Sequence, residues 1–136
     1  MAATLKLEIV TPEAKVFSED VEMVSLTGID GDMGIYPEHM PLMTQLVAGE
    51  VIARKNASDI SLAVGDGFVQ VTKDRVAILT DMAIKSEDID EAAAEAAVKK
   101  AEARLAQKLS DEEAATVHAS LVHATVQIKV KQRHKK

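Results

Sequence analysis

Residues 28–42 read GIDGDMGIYPEHMPL, a stretch with three of the six glycines and two of the three prolines in the 136-residue chain. Gly31 and Gly34 allow a positive φ, whereas Pro37 and Pro41 restrict the backbone. We therefore expect a stiff loop between strands. A stiff loop suits a binding contact, because less conformational entropy is lost when a partner binds.

The same stretch also contains groups that enzymes use. His39 could act as a general base, with Asp32 or Glu38 as its partner. However, Ser25 and Thr27 belong to the preceding strand, so no nucleophile accompanies the histidine in the loop. Since an activated nucleophile needs both a base and a group that orients it, the pattern favours a binding loop over a catalytic one.

Around this loop, residues up to 85 form short apolar segments with a period of two. TLKLEIV at 4–10 is one example, since Leu, Leu and Ile alternate with Lys and Glu. GDG at 65–67 predicts a hairpin turn, and KNAS at 55–58 and KD at 73–74 predict further turns. Many short strands with frequent turns are typical of a β-sandwich or barrel.

Beyond residue 85 the chain contains neither glycine nor proline. The alanine-rich segment 86–109 has high helix propensity, and Ser110 with Glu113 forms a capping-box pattern that starts a second helix. The first helix has a predicted stripe of mostly small residues: Ile89, Ala93, Ala96, Ala97, Lys100, Ala101 and Leu105. The second has a predicted apolar face: Ala114, Val117, Leu121, Ala124 and Ile128. We predict an antiparallel helical hairpin with its turn near 107–110.

Composition excludes several functional classes. The chain has no cysteine, which rules out disulfides and thiolate metal sites, and its net charge of −6 argues against nucleic-acid binding. No apolar run approaches the roughly 20 residues of a membrane span, and no signal peptide is recognisable, so we expect a soluble protein. His118 and His123 are five residues apart, which is unfavourable for a metal site on a helix. We expect no metal, no cofactor and, without a phosphate-binding loop motif, no hydrolysis by this chain alone.

Charge is unevenly distributed along the predicted helices. Residues 129–136, hereafter the basic arm, contain five basic and no acidic side chains. Such an arm can bind an acidic partner, although the more common role of a charged run is solubility.

Three segments of the sequence resemble a known family. LKLEIVTPEAKVFS at 5–18, GDMGIYPEHMPLMTQL at 31–46 and the alanine-rich hairpin together resemble the epsilon subunit of the F-type ATP synthase. The resemblance extends from about Leu5 to about Lys131. Its most specific part is the pattern GxxGIYPxHxPLxT, which is matched by Gly31, Gly34, Ile35, Tyr36, Pro37, His39, Pro41, Leu42 and Thr44.

The resemblance implies a fold and a role. The fold is β plus α, an N-terminal ten-stranded β-sandwich followed by a C-terminal antiparallel two-helix hairpin. Residues 1–85 would form the sandwich that binds the rotor stalk and the c-ring, and residues 86–136 would form a regulatory hairpin. The protein would be a non-catalytic rotor subunit of a proton-translocating ATP synthase that inhibits ATP hydrolysis through its helices. It would lie peripherally on the cytoplasmic face of a bacterial inner membrane, with the stromal face of a plastid as the alternative.

By resemblance, the partners are the gamma subunit, the c-ring and the catalytic alpha and beta subunits. Asp32 would face the c-ring and His39 the gamma subunit, while the methionines and leucine of the loop would be interface or core. The contact set is Asp32, Tyr36, His39, Met40, Leu42 and Met43. The inhibitory contact is assigned to basic residues of the arm: Lys129, Lys131, Arg133 and Lys135.

Some members of this family bind ATP on the hairpin through the pattern I/L-D-x-x-R-A. Ile89, Asp90 and Ala94 match it, but Ala93 occupies the arginine position. Loss of a guanidinium removes a two-pronged phosphate donor, so we expect weak or absent ATP binding, with Asp90, Lys100 and Arg104 as the remaining candidates. Two alternatives therefore stay open beside the rotor subunit: an ATP-sensing module and a small independent enzyme.

Overall fold

The computed structural model describes residues 3–133, which contain ten β-strands, a short 3-10 turn (Ser86–Asp88) and two α-helices. The strands are β1 (Leu5–Val10), β2 (Lys15–Val21), β3 (Met23–Gly28), β4 (Gly31–Ile35), β5 (Leu42–Leu46), β6 (Gly49–Lys55), β7 (Ser58–Val64), β8 (Gly67–Val71), β9 (Arg75–Thr80) and β10 (Ala83–Lys85). The helices are α1 (Glu91–Leu105) and α2 (Asp111–Arg133). The predicted ten-stranded sandwich followed by two helices is confirmed.

The strands pair in the order β10-β7-β6-β3-β5-β8-β9-β1-β2, with β4 on the free side of β3. Between β3 and β5 the pairing is reduced to Gly28 opposite Leu46, so the sheet folds over at this point and its halves enclose one core. The period of two in β1 is as predicted, because Leu5, Leu7 and Ile9 are all buried in that core.

The hairpin predicted at GDG 65–67 is wrong. β7 pairs with β6 and β10, whereas β8 pairs with β5 and β9, so this segment crosses from one layer to the other. Close backbone packing requires the glycine at position 67 instead, because a Cβ there would lie 1.9 Å from the Leu79 carbonyl oxygen. A Cβ on Gly65 would lie 2.0 Å from Asp81 Oδ1, the end of a side chain that can rotate away.

The other two predicted turns are confirmed. Asn56 and Ala57 have φ of 52° and 64° and join β6 to β7 as a two-residue hairpin loop of the kind that matches strand twist. Between β8 and β9, the Thr72 amide donates to the Arg75 carbonyl at 2.8 Å and closes the turn that contains 73–74.

Both helices begin at side-chain caps. The Asp90 carboxylate accepts from the Ala93 amide at 3.1 Å at the start of α1. At the start of α2, the Glu113 amide donates to Ser110 Oγ at 3.2 Å and the Ser110 amide donates to Glu113 Oε1 at 3.3 Å, which confirms the predicted capping box. The predicted turn at 107–110 lies between the helices.

The predicted stripe on the first helix is partly wrong. Its member Ala101 is buried, as is Ala94, which the stripe omits, whereas Ala93, Ala96, Ala97 and Lys100 are exposed. Ile89 is buried, but it lies before the Asp90 cap in extended conformation (φ −75°, ψ 127°), so a helical period counted from it begins at the wrong angle.

α2 has two faces with buried apolar residues, and the sequence predicted one of them. The predicted face, from Ala114 to Ile128, is half-buried or buried, and its Ala124 lines a cavity together with Ala94 and Ala97 of α1. A second stripe, Val122, Val126 and Val130, lies on the outer surface of the sandwich. It packs there against Ala48, Ala63, Ile84 and Ile89.

Candidate functional site

The 28–42 segment is half strand and half loop. Its first part is β4, which pairs with β3 from Val24–Ile35 to Gly28–Gly31. Gly31 has the expected positive φ of 122°, but Gly34 does not, because it lies within the strand opposite Ser25. In the second part the left-handed position is Glu38, with φ of 70°.

Asp32 lies near the tip of the β3–β4 hairpin and is exposed. Its Oδ1 accepts from Thr27 Oγ1 at 3.0 Å, across the pair that joins the two residues in the ladder. Ile29, in the turn between the strands, is a large exposed apolar side chain. The tip therefore offers a fixed carboxylate and an apolar group to a neighbour.

The loop at 36–41 is tied to the β8–β9 turn. The Glu38 amide donates to the Lys73 carbonyl at 2.9 Å, and their side chains form an ion pair at 3.4 Å. His39 Nδ1 lies 2.7 Å from the Met40 carbonyl oxygen, so this ring nitrogen is already engaged by the backbone beside it. Such an arrangement holds the loop rather than activating the imidazole as a base.

The apolar residues of the loop lie outside the core. Tyr36 is 60% exposed, Met40 79% and Met43 67%, and Leu42 is also exposed. Of the two roles expected for the methionines and Leu42, burial in the core is therefore wrong. Burying such side chains requires a partner surface.

Two further apolar residues, which the sequence analysis missed, continue this surface. Phe68 on β8 lies opposite Leu79 on β9 and opposite Gln45 on β5, and Met43 is the diagonal neighbour of Phe68 on the same face. We call Met43, Phe68 and Leu79 the outer patch. The available signal was the continuous run Val76 to Leu79, because apolar residues at successive strand positions indicate a strand covered on both faces.

Two of the three described basic residues of the basic arm make contacts within the molecule. Lys131 Nζ donates to the Ser86 carbonyl at 3.2 Å, and Arg133 Nη1 lies 2.7 Å from Glu50 Oε1 on β6. Lys129 is exposed beside them. Lys135, also assigned to the inhibitory contact, lies outside the described residues.

The three residues considered for nucleotide binding are not brought together. Asp90 is the cap of α1, Lys100 is exposed on that helix, and Arg104 is paired with Gln107 and Glu113 at the other end. Fourteen residues of helix separate Asp90 from Arg104 by about 21 Å. The space between the helices is a shallow cavity lined by Ala93, Ala94, Ala97, Ser120, His123, Ala124 and Gln127. It offers no arginine or lysine to a triphosphate.

Glu8 and Glu113 have a displaced pKa, and both lie outside the 36–41 loop. A hydrogen bond from Lys15 lowers the pKa of Glu8, with help from the nearby Arg75 charge. Hydrogen bonds from Ser110 lower the pKa of Glu113. These carboxylates have structural partners, so neither has the features of a catalytic acid.

Within residues 3–133, no cluster of three or more histidine, aspartate or glutamate side chains is arranged to hold a metal ion. No helix in this range is both long and apolar enough to cross a bilayer.

Family models cover the described chain in two parts. Residues 4–86 match the model "ATP synthase, Delta/Epsilon chain, beta-sandwich domain", and residues 87–132 match "ATP synthase, Delta/Epsilon chain, long alpha-helix domain". The chain is 47% identical over 135 residues to the ATP synthase epsilon chain of Dehalococcoides mccartyi strain CBDB1, covering 98% of this chain and 96% of that one. It is 44% identical to the ATP synthase epsilon chain 2 of Syntrophotalea carbinolica, with coverage of 96% and 95%.

Solved structures show the same fold. A chain in the Euglena gracilis mitochondrial ATP synthase structure of OSCP, F1 and c-ring superposes with a TM-score of 0.75 at 20% identity, covering 97% of this chain and 82% of that one. A second, from the Tetrahymena thermophila mitochondrial ATP synthase central stalk and c-ring, gives 0.59 at 12% identity, with coverage of 93% and 96%.

Proposed function

This chain belongs to the ATP synthase delta/epsilon family, as an epsilon chain, and from that premise we propose a specific role for it within the F-type complex. It is a rotor subunit whose sandwich, residues 1–85, joins the gamma subunit to the c-ring. Its hairpin, residues 86–136, restrains ATP hydrolysis by contact with the alpha and beta subunits. The observation that carries this proposal is the exposed apolar surface formed by Tyr36 and Met40 of the 36–41 loop, by Leu42 and by the outer patch.

The gamma contact is assigned to that surface. Tyr36 and Met40 project from the loop, and the outer patch continues along the faces of β5, β8 and β9. Tyrosine and methionine are enriched in the centres of protein interfaces, and aromatic side chains dominate binding energy there. The tie between Glu38 and Lys73 holds the loop in place before binding, which lowers the entropic cost of a torque-bearing contact.

The c-ring contact is assigned to the tip of the β3–β4 hairpin. Thr27 fixes the Asp32 carboxylate there, and Ile29 offers an apolar group next to it. Because β3 and β4 pair along five residues behind the tip, the carboxylate is presented by a rigid ladder. The c-ring would hold the subunit peripherally on the membrane, on the cytoplasmic face if the source is a bacterium.

The hairpin has the construction of a movable element. The buried side chains of α1 are two alanines, Ala94 and Ala101, so α1 loses little buried area when it leaves α2. α2 holds to the sandwich mainly through Val126 and Val130. Elements with few buried apolar contacts open at low free energy. An extended hairpin would bring Lys129, Lys131 and Arg133 to acidic surfaces of the catalytic subunits.

The test is ATP hydrolysis by the catalytic complex of alpha, beta and gamma subunits. The rate is measured without the chain, with the full chain and with the 1–85 truncation, and binding to gamma is measured in parallel. We expect inhibition by the full chain alone, with gamma binding retained by the truncation. The β-sheet circular dichroism of the truncation must match that of the intact sandwich, because truncation uncovers Ala63 and Ile84. Loss of gamma binding by a folded truncation would refute the division of labour, and equal hydrolysis rates would refute the inhibitory role.

A further inference from the structure

A polar seam runs along α2 beside its apolar stripe. Three residues of α2 that lie four positions apart contact the 81–86 segment, each through a nitrogen that faces an oxygen or sulfur atom. His123 Nε2 lies 3.1 Å from Asp81 Oδ1, Gln127 Nε2 lies 3.8 Å from Met82 Sδ, and Lys131 Nζ donates to the Ser86 carbonyl at 3.2 Å. Since residues four apart share one helix face, α2 docks in a single register.

The end of α2 makes a further contact, with a buried acid. The Glu50 side chain is only 7% exposed, whereas that of Arg133 is 66% exposed, and their charged atoms are 2.7 Å apart. The other oxygen of Glu50 accepts from Ser61 Oγ, and Ser61 is itself buried on β7. The carboxylate is thus held in place by the sheet before the guanidinium arrives. A buried carboxylate gains strongly from an opposite charge, because water no longer solvates it fully.

We propose that the ion pair between Glu50 and Arg133 keeps the helical hairpin docked on the sandwich, and we call this pair the latch. This inference deepens the proposed function. It rests on the proposed function for one consequence, the effect of the latch on ATP hydrolysis in the assembled complex. Arg133 is one of the basic residues assigned to the inhibitory contact. While it is held by Glu50 it cannot reach the catalytic subunits, so one side chain takes part in two mutually exclusive contacts. Lys131, held by the Ser86 carbonyl, is restrained in the same docked state.

The latch lies at an opening of about 430 Å³ where α2 meets the sandwich. Lys129 and Arg133 line it from the helix, and Glu50, Thr27 and Asp32 line it from β3, β4 and β6. Because Arg133 is exposed on this side, salt screens the pair, and docking should weaken as ionic strength rises. Asp32, at the tip of the β3–β4 turn assigned to the c-ring, lines the same opening.

The latch is tested first in the isolated full chain. The chain has no cysteine, so spin labels can be placed on Ser18→Cys in β2 and Ala115→Cys in α2, both at exposed positions. Glu50→Gln removes the charge and keeps the shape. Glu95→Gln makes the same change on an exposed face of α1 and is the matched control. We expect the undocked fraction in the distance distribution to rise at least threefold in Glu50→Gln and in Arg133→Ala. The double variant should add little more, because either change alone breaks the pair.

A distance distribution unchanged in Glu50→Gln, or changed equally in Glu95→Gln, would overturn the latch. The same variants are then compared in ATP hydrolysis by the assembled complex. Glu50→Gln should inhibit more strongly than the unmodified chain, since it frees an intact arm, whereas Arg133→Ala should not. If Glu50→Gln undocks the hairpin and leaves hydrolysis unchanged, the latch stands and the inhibitory role of the hairpin fails.

Discussion

Phe68 and Leu79 lie directly opposite each other in the β8–β9 pair, and both side chains are more than half exposed. Strand neighbours that are both large and apolar stabilise one another by modest amounts, but they leave a hydrophobic face in water. Phe68 is also the diagonal neighbour of Met43 on β5, so this face continues toward the 36–41 loop. The pair is therefore the strongest indication that the outer sheet surface is covered by another subunit.

Replacement of either residue should weaken gamma binding. We expect Phe68→Ser and Leu79→Ser each to raise the Kd for the gamma subunit by about tenfold or more, equivalent to about 1.4 kcal/mol. Because both side chains point to solvent in the free chain, the free energy of unfolding should change little. Isothermal titration calorimetry with purified gamma, together with urea unfolding, measures both quantities.

Leu105→Ser is the matched control for that prediction. Leu105 is an exposed leucine at the end of α1, away from the sandwich surface. It should leave the Kd unchanged. Equal affinity of Phe68→Ser and the unmodified chain would remove the outer patch from the gamma contact.

The crossing segment 65–67 provides a test of packing. A Cβ on Gly67 would lie 1.9 Å from the Leu79 carbonyl oxygen, a distance that only movement of β9 could relieve. We expect Gly67→Ala to lower the free energy of unfolding by more than about 2 kcal/mol. Gly34→Ala is the control, because its nearest atom would be Tyr36 Cε2 at 3.9 Å and it has no positive φ. That variant should stay within about 1 kcal/mol of the unmodified chain. Urea denaturation that shows equal losses for both glycines would contradict this reading of the crossing.

The wrong prediction of a hairpin at GDG 65–67 shows that a local turn pattern does not determine which strands pair. Gly65 and Gly67 look the same in sequence whether the chain turns back or crosses between layers, since both need a backbone without side chains. Only the pairing of β7 with β10, which begins at residue 83, decides between them. By contrast, Asn56 and Ala57 join strands that pair with each other, so the local turn signal was sufficient there.

The exposed apolar surface of the sandwich could also be predicted only in part. Tyr36, Met40 and Met43 belong to a distinctive segment, whose resemblance to a known family named them as contact residues while it left burial of the methionines in the core open. Phe68 lies in a strand with ordinary alternation and Leu79 ends a continuous apolar run, and only the register of β5, β8 and β9 places Phe68 diagonal to Met43 and opposite Leu79. The pair of Glu50 with Arg133 was beyond reach for the same reason, because 83 positions of sequence separate its members.

The ion cluster on β1 predicts a pH dependence. A hydrogen bond from Lys15, and then the Arg75 charge, lower the pKa of Glu8 from its ordinary value of 4.5. A lowered folded-state pKa contributes stability that is present above 4.5 and is lost as the pH falls through the folded value. Lys15→Ala should therefore shift the pKa of Glu8 upward and make the loss of stability on acidification smaller.

Carboxyl chemical shifts measured by NMR across the acidic range follow Glu8 directly. Lys108→Ala removes one exposed positive charge far from β1, between the helices, and serves as the control. It should leave the titration of Glu8 in place. A Glu8 titration that is the same in Lys15→Ala and the unmodified chain would show that the Lys15 contact at 3.0 Å has no effect on this group in solution.

Substitutions in the basic arm can separate its effect on ATP hydrolysis from its effect on docking of the helical hairpin. Lys129 is exposed and lines the opening beside the latch, whereas Arg133 contacts Glu50 and Lys131 contacts the Ser86 carbonyl. Lys129→Ala should therefore relieve inhibition of ATP hydrolysis partly while the hairpin stays docked, because it removes charge without removing a docking contact. The triple change of Lys129, Lys131 and Arg133 to alanine should relieve inhibition further and also undock the hairpin. Hydrolysis rates in the complex and label distances in the isolated chain report the two effects separately. If the triple variant inhibits as strongly as the unmodified chain, the arm serves solubility and the inhibitory contact lies elsewhere on α2.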